Sequence, residues 1–110
     1  MNPPVNESLA LDIQQLRDNA AAAGQLLKTL GNPDRLLLLC QLAQGERLVS
    51  ELEALLGITQ PTLSQQLAVL RREGLVATRR EGKQIYYCIS SPAALAVINN
   101  LYQQFCAGAQ

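Results

Sequence analysis

The chain has 110 residues, no net charge and no histidine. Apolar residues make up 48% of it and charged residues only 16%, which suits one folded domain and is too apolar for a disordered chain. The lack of histidine excludes Ser-His-Asp and Cys-His catalytic arrangements and every metal site that uses imidazole. We therefore expect no enzyme, no cofactor and no metal site.

The N-terminus is polar, carries two prolines and does not resemble a signal peptide. No apolar run approaches the roughly 20 residues that a membrane-spanning helix needs. The sequence thus predicts a cytoplasmic protein without a membrane partner. We expect a disordered tail over residues 1–7 and a single domain over residues 8–108.

Apolar residues from Leu9 to Leu30 recur at spacings of three and four, which predicts a first helix, interrupted near Gly24. Asn32 and Pro33 then form a start signal for a second helix, because Asn caps helices well and Pro suits the first helical position. This second helix, about residues 33–43, is apolar almost all round and is expected to run through the core.

Two helices follow in close succession. The first ends at Gly57, and the second, with Leu63, Leu67 and Leu70 on its apolar side, ends at Gly74. A short helix, a tight turn and a second helix with a polar face are typical of a helix-turn-helix.

The residue period then changes from helical to alternating. Residues 75–78 and 85–89 predict two strands, joined by a basic, glycine-containing link over 79–84. A last helix starts after Ser91 and carries apolar side chains as far as Phe105. The expected fold is mainly α with a small β-hairpin, a winged helix-turn-helix.

Positive charge is concentrated in the second helix of the helix-turn-helix and in the hairpin. Residues 59–84 contain five basic and two acidic side chains, in a chain of zero net charge. The second helix of a helix-turn-helix, here the one that ends at Gly74, fits the major groove of DNA. The hairpin over residues 75–89, called the wing, contacts the DNA backbone. Amide and hydroxyl groups can bond base edges, while cations suit phosphates. The predicted contacts to double-stranded DNA are Gln60, Thr62, Ser64, Gln65, Gln66, Arg71, Arg72, Arg80, Lys83 and Gln84.

Five segments together resemble the ArsR/SmtB family of winged-helix repressors. They are residues 30–36 (Leu-Gly-Asn-Pro-Asp-Arg-Leu), 49–52 (Val-Ser-Glu-Leu), 59–67 (Thr-Gln-Pro-Thr-Leu-Ser-Gln-Gln-Leu), 70–76 (Leu-Arg-Arg-Glu-Gly-Leu-Val) and 80–87 (Arg-Glu-Gly-Lys-Gln-Ile-Tyr-Tyr). The resemblance implies a homodimer formed through the first and last helices. It also implies a repressor that binds an inverted-repeat operator and is released by an inducer.

The chain departs from the metal-sensing members of this family. The family's Cys-Val-Cys-Asp-Leu metal motif would fall on residues 48–52, where Leu48 and Ser50 replace both thiols. The common histidine of the Ser-x-His-Leu stretch is Gln66 here. A zinc, nickel or cobalt sensor is therefore not expected.

Two of the three cysteines resemble the sensing pair of one branch of this family, which includes BigR, SqrR, YgaV and HlyU. Cys40 and Cys106 match the two positions, and the resemblance implies that reactive sulfur species or an oxidant link their sulfurs and weaken operator binding. Cys88, on the other face of its strand from Tyr87 and Ile89, matches no such position and is interpreted as incidental.

Two alternatives remain open from the sequence. One is a repressor that responds to arsenite or another soft metal through Cys40 and Cys106, with or without Cys88. The other is a winged helix that serves as a protein-interaction module, which would show an apolar patch in place of the polar face over residues 60–66.

Overall fold

A computed structural model describes residues 13–106. Within that part the helices are α1 (Ile13–Leu30), α2 (Pro33–Leu42), α3 (Val49–Leu56), α4 (Gln60–Arg72) and α5 (Pro92–Phe105). The strands are β1 (Arg47–Leu48), β2 (Val76–Glu81) and β3 (Gln84–Ile89). The mainly α, winged helix-turn-helix prediction is confirmed. The expected tail over residues 1–7, the start of the first apolar stripe and both ends of the 8–108 domain lie outside the described residues.

Helix α1 runs without interruption through Gly24, so the predicted break there is wrong. A Cβ at Gly24 would meet nothing within 4 Å, and the residue faces solvent. Glycine in an exposed helix interior costs only about 1 kcal/mol relative to alanine. The four alanines that precede Gly24, residues 20–23, are strong helix formers and offset this cost.

Helix α2 is the centre of the domain and packs against the other four helices and against β3. Its start is fixed by Asn32, whose side chain accepts a hydrogen bond from the backbone N–H of Arg35 at 3.1 Å. Leu38, Leu39 and Leu42 are buried as predicted, whereas Leu37 is exposed, so α2 is not buried on every side.

Helices α3 and α4 form the predicted helix-turn-helix. Gly57 ends α3 with a φ of +68°, a left-handed conformation that glycine adopts without a steric cost. Leu63, Leu67 and Leu70 bury one side of α4 completely, so the opposite side of α4 faces solvent. This burial determines which residues of α4 can reach a ligand.

The wing is longer than the sequence indicates, because β2 and β3 pair as far as Glu81 and Gln84. Only Gly82 and Lys83 form the turn, and Gly82 supplies the positive φ of +63°. The sheet also has a third strand, β1, which pairs with β3 and makes the order β1-β3-β2. A two-residue strand has too few residues for an alternating pattern.

Helix α5 returns across the domain and packs on α2 and β3. The Ser91 side chain caps α5 by accepting a hydrogen bond from the backbone N–H of Ala94 at 3.1 Å. Ala94 and Ile98 are buried against the core. None of the helices within residues 13–106 is long and apolar enough to cross a membrane.

Candidate functional site

The outer face of α4 is polar and open to solvent. Gln60, Ser64 and Gln65 are exposed, while Thr62 is partly buried. This face lies opposite the leucines that hold α4 on the core. An exposed amide can bond a base edge in the major groove through its oxygen and its nitrogen, so the face can read DNA.

Gln66 has different surroundings from its neighbours on α4. It is partly buried, and its side-chain oxygen accepts a hydrogen bond from Nη1 of Arg35 at 2.9 Å. Nε of the same arginine donates to the backbone oxygen of Thr29 at 2.6 Å. The sequence predicted no role for Arg35, since nothing in the spacing of residues 35 and 66 indicates that they meet.

Two predicted phosphate contacts lie at the C-terminal end of α4. Arg71 and Arg72 are both exposed. Nε of Arg72 lies 3.7 Å from a carboxylate oxygen of the partly buried Glu73, and solvent screens this long ion pair on the exposed side of Arg72. Both cations therefore remain available to an anionic partner.

The tip of the wing presents Arg80, Lys83 and Gln84 to solvent, as predicted. Arg79, lower on β2, is instead paired with Glu46, to which Nε and Nη2 donate at 2.6 and 2.9 Å. This hydrogen-bonded pair lowers the pKa of the Glu46 carboxyl. The Arg79 guanidinium also lies 4.5 Å from the ring centroid of Tyr86, its cross-strand neighbour. Arg79 thus holds the wing to the loop before β1.

Cys40 of α2 and Cys106, which follows α5, line the same cavity of about 350 Å³. Both are free thiols. The other lining residues are Leu36, Leu101, Tyr102 and Phe105. Burial raises the pKa of the Cys40 thiol, and the proximity of Cys106 raises it further. The cavity is therefore an apolar space that contains two cysteines far apart in sequence.

Cys88 does not line this cavity. It lies on β3 opposite Ala77 of β2 and is partly buried. No group of three Cys, Asp or Glu side chains within residues 13–106 is placed to hold a metal ion. A site built from all three cysteines has no geometric support in the described domain.

Large apolar side chains are exposed along α1 and α5. Ile13, Leu16 and Leu27 of α1 face solvent, as do Tyr102 and Phe105 of α5. Phe105 is 77% exposed. Amphipathic helices normally bury such a stripe against another element, so these two helices form an uncovered apolar surface.

Comparison with known proteins agrees with this geometry. Residues 32–78 match the family model described as "Bacterial regulatory protein, arsR family". The chain is 53% identical over 97 residues to the Biofilm growth-associated repressor of Agrobacterium fabrum, covering 88% of this chain and 83% of the relative. It is 40% identical over 103 residues to the Transcriptional activator HlyU of Vibrio cholerae, covering 94% of this chain and 95% of the relative.

A solved structure is similar over most of the chain. The crystal structure of the transcriptional repressor BigR from Xylella fastidiosa superposes with a TM-score of 0.81 at 48% identity, covering 87% of this chain and 98% of that chain. The family resemblance of the sequence is thereby confirmed. The chain belongs to the arsR family of bacterial regulatory proteins, which bind DNA to regulate transcription and are not enzymes.

Proposed function

We propose that the chain is a cytoplasmic, homodimeric repressor whose affinity for an inverted-repeat operator falls when Cys40 and Cys106 become linked. The observation that carries this proposal is the shared cavity of the two thiols. The inducer is a reactive sulfur species or an oxidant. The Agrobacterium and Xylella relatives are named repressors, which favours repression over activation.

In the proposed complex α4 enters the major groove and the wing contacts the flanking backbone. Gln60, Ser64 and Gln65 are exposed on the groove-facing side and supply base contacts. The exposed cations of α4 and of the wing tip supply phosphate contacts. These are Arg71, Arg72, Arg80 and Lys83, with Gln84 and the partly buried Thr62 as further polar contacts.

The proposed switching chemistry uses a persulfide, RSSH, as the oxidant. The Cys106 thiolate attacks its outer sulfur, which yields a Cys106 persulfide and releases RSH. The Cys40 thiolate then attacks the Cys106 sulfur, forms the disulfide and expels the outer sulfur as hydrogen sulfide. A direct bond needs Cα atoms about 4.4 to 6.8 Å apart. Where a second RSSH also converts Cys40 to a persulfide, the Cys106 persulfide attacks the Cys40 sulfur, expels hydrogen sulfide and leaves a trisulfide, which spans a longer gap.

Linkage would change DNA binding through the helices that carry the thiols. It ties the end of α5 to α2, and α5 contributes to the apolar surface on which we expect the dimer to form. A shift of α5 would then alter the spacing of the two α4 helices, whose half-sites are about one turn of DNA apart. About 1 to 3 kcal/mol of coupling is enough for such regulation.

Mass spectrometry beside a DNA-binding titration tests this switch. Treatment with a polysulfide is expected to yield a peptide that joins Cys40 to Cys106 and to lower operator affinity at least tenfold. Cys88→Ser should respond as the wild type does, whereas Cys40→Ser and Cys106→Ser should keep their affinity. Unchanged affinity in the fully linked protein would refute the switch and leave DNA binding intact.

A soft-metal sensor is the second candidate, because two thiols that line one cavity also suit a soft ion such as arsenite. Titration with arsenite distinguishes the two candidates. Tight binding with loss of operator affinity in the reduced protein supports the metal sensor, and no binding leaves the sulfur-linked switch. The protein-interaction module lacks support, since α4 exposes no large apolar side chain.

A further inference from the structure

Gln66 differs from the other polar residues in the first half of α4 because its amide already has a partner inside the protein. The side-chain oxygen accepts from Arg35 at 2.9 Å, and the residue is partly buried. Specific pairing of a glutamine with adenine uses both the amide oxygen and the amide nitrogen. With its oxygen occupied by Arg35, Gln66 is poorly placed to read a base.

Arg35 joins three helices at one point. Its backbone N–H donates to Asn32 at the start of α2, its Nε donates to the last turn of α1 through the Thr29 oxygen, and its Nη1 donates to Gln66 on α4. The guanidinium is planar, so the directions of its donors are fixed relative to one another. The two guanidinium donors therefore fix the position of α4 relative to the end of α1.

We propose that Gln66 is a positioning residue: together with Arg35 it sets the orientation of α4 relative to α1, and it makes no base contact. This proposal rests on the DNA-binding mode above and is independent of the cysteine switch. Loss of the hydrogen bond would let α4 tilt, which weakens all of its base contacts together. Loss of a base reader would instead affect one base pair.

Base-preference profiles separate these two roles. The wild-type protein is used to select an operator from random duplexes, and affinities are then measured for that operator and for each single-base variant. Gln66→Ala is expected to weaken every duplex by a similar factor, about tenfold, with their ranking unchanged. Gln65→Ala, an exposed neighbour, is the control and should relax preference at one base pair.

Relaxed preference at a single base pair in Gln66→Ala would overturn the proposal, and so would unchanged affinity for all duplexes. Circular dichroism and thermal melting show whether the variants remain folded. A wild-type protein that selects no duplex would overturn the DNA-binding mode and this proposal with it. A wild type that binds while Gln66→Ala relaxes one position defeats the positioning role alone.

A double-mutant cycle tests whether Arg35 and Gln66 act as one unit. If they do, Arg35→Ala with Gln66→Ala should weaken operator binding no more than the larger single change, because the second change removes a bond already lost. Losses that multiply would show that the two residues act separately and would contradict the proposal. Arg35→Lys should resemble Arg35→Ala, since one ammonium lacks the planar donor pair.

The direction of a pH response gives an independent readout. In Gln66→His the neutral imidazole can accept from Arg35, but the protonated ring has no acceptor and repels the guanidinium. Operator binding by this variant should therefore weaken, relative to wild type, as pH falls from about 8 to 5.5. Other charged residues lie on the elements that pack against α4, and none of them is bonded to Gln66 in the described domain. They are Asp34, Glu51, Glu53, Arg79, Arg80 and Glu81.

A residue that faces DNA would respond in the opposite direction. Protonation there adds a cation beside the phosphates, which strengthens binding. Gln65→His, on the exposed face, is expected to show that increase on acidification. An increase, or no change, in Gln66→His relative to wild type would overturn the positioning role.

Discussion

Cys40 and Cys106 line one cavity but differ in their exposure. Cys40 is partly buried beside Leu36 and the aromatic residues of α5, whereas Cys106 is exposed. Because burial raises the pKa of the Cys40 thiol, less of it is thiolate at neutral pH. In the proposed switch, Cys106 would therefore be the thiol that an incoming reactant meets first, and Cys40 the one that completes the linkage.

This division of roles predicts the order of alkylation. With iodoacetamide at pH 7, Cys106 should be modified faster than Cys40, because Cys106 is exposed whereas burial both shields Cys40 and raises its pKa. Raising the pH should accelerate Cys40 until the pH passes its raised pKa. Peptide mapping by mass spectrometry on the wild-type protein measures both rates in one sample. Equal rates at pH 7 would contradict the assignment.

At the scale of the elements, α2 connects the parts of the domain that matter for function. It begins at the Asn32 cap, presents Arg35 to α1 and α4, and carries Cys40 at its other end. In the proposed switch, this helix of 10 residues would transmit a change at the thiols toward α4. Because α2 contacts the other helices, a substitution at its start should change the stability of the whole domain.

Removal of the α2 cap tests its contribution. Asn32→Ala should lower the free energy of unfolding by about 1 kcal/mol, since the N–H of Arg35 loses its acceptor. Urea denaturation of the reduced protein measures the change. Asn32→Asp keeps the acceptor and is the control, expected to remain near wild type. A loss as large in the aspartate variant would show that the cap is not the cause.

An ion pair within the protein reduces the number of free cations on the wing. Arg80 and Lys83 are exposed at the tip, while Arg79 is bonded to Glu46. Arg80→Ala and Lys83→Ala should each reduce the slope of log affinity against log salt by about 0.9. Arg79→Ala should leave that slope unchanged, because Glu46 already neutralises the Arg79 guanidinium. A reduction of equal size in all three variants would show that Arg79 also contacts DNA.

Local patterns in the sequence predict the elements well and their pairings poorly. The spacing of Leu63, Leu67 and Leu70 is enough to predict α4 and its buried side, and the Asn32 start signal is confirmed in detail. The strand β1 is too short for any pattern. The Arg79–Glu46 pair joins residues 33 positions apart, and only the fold decides which side chains meet over such distances.

The same limit applies to the candidate site. The exposed face of α4 follows from its period, whereas the bond that separates Gln66 from Gln65 depends on where α2 lies. Spacing alone does not predict that Cys40 and Cys106 share a cavity, and the family resemblance supplied that pairing. At Gly24 the local sequence predicts a break in the helix, but α1 continues through this residue.

At the scale of the whole molecule, α1 and α5 expose an apolar surface that a second copy of the chain would cover. Leu16 of α1 is 51% exposed and Leu55 of α3 is 54% exposed, which makes them a matched pair. Leu16→Asp should produce a monomer with weakened operator binding, because a charge cannot be buried unpaired at an interface. Leu55→Asp, outside α1 and α5, should stay dimeric.

Sedimentation of both variants beside the wild type gives the oligomeric state directly. A wild-type protein that is monomeric at micromolar concentration would contradict the proposed dimer. So would a Leu16→Asp variant that remains dimeric with full operator affinity, since the interface would then lie elsewhere.

In the proposed complex, α4 and the wing, presented twice by a symmetric pair, bind duplex DNA. A salt-dependent titration of the reduced protein against a labelled inverted-repeat operator tests it most directly. We expect saturation at two chains per duplex, with affinity that falls steeply as salt rises and exceeds that for a scrambled duplex at least a thousandfold. Absence of salt-sensitive affinity for any duplex, its own promoter included, would contradict the account.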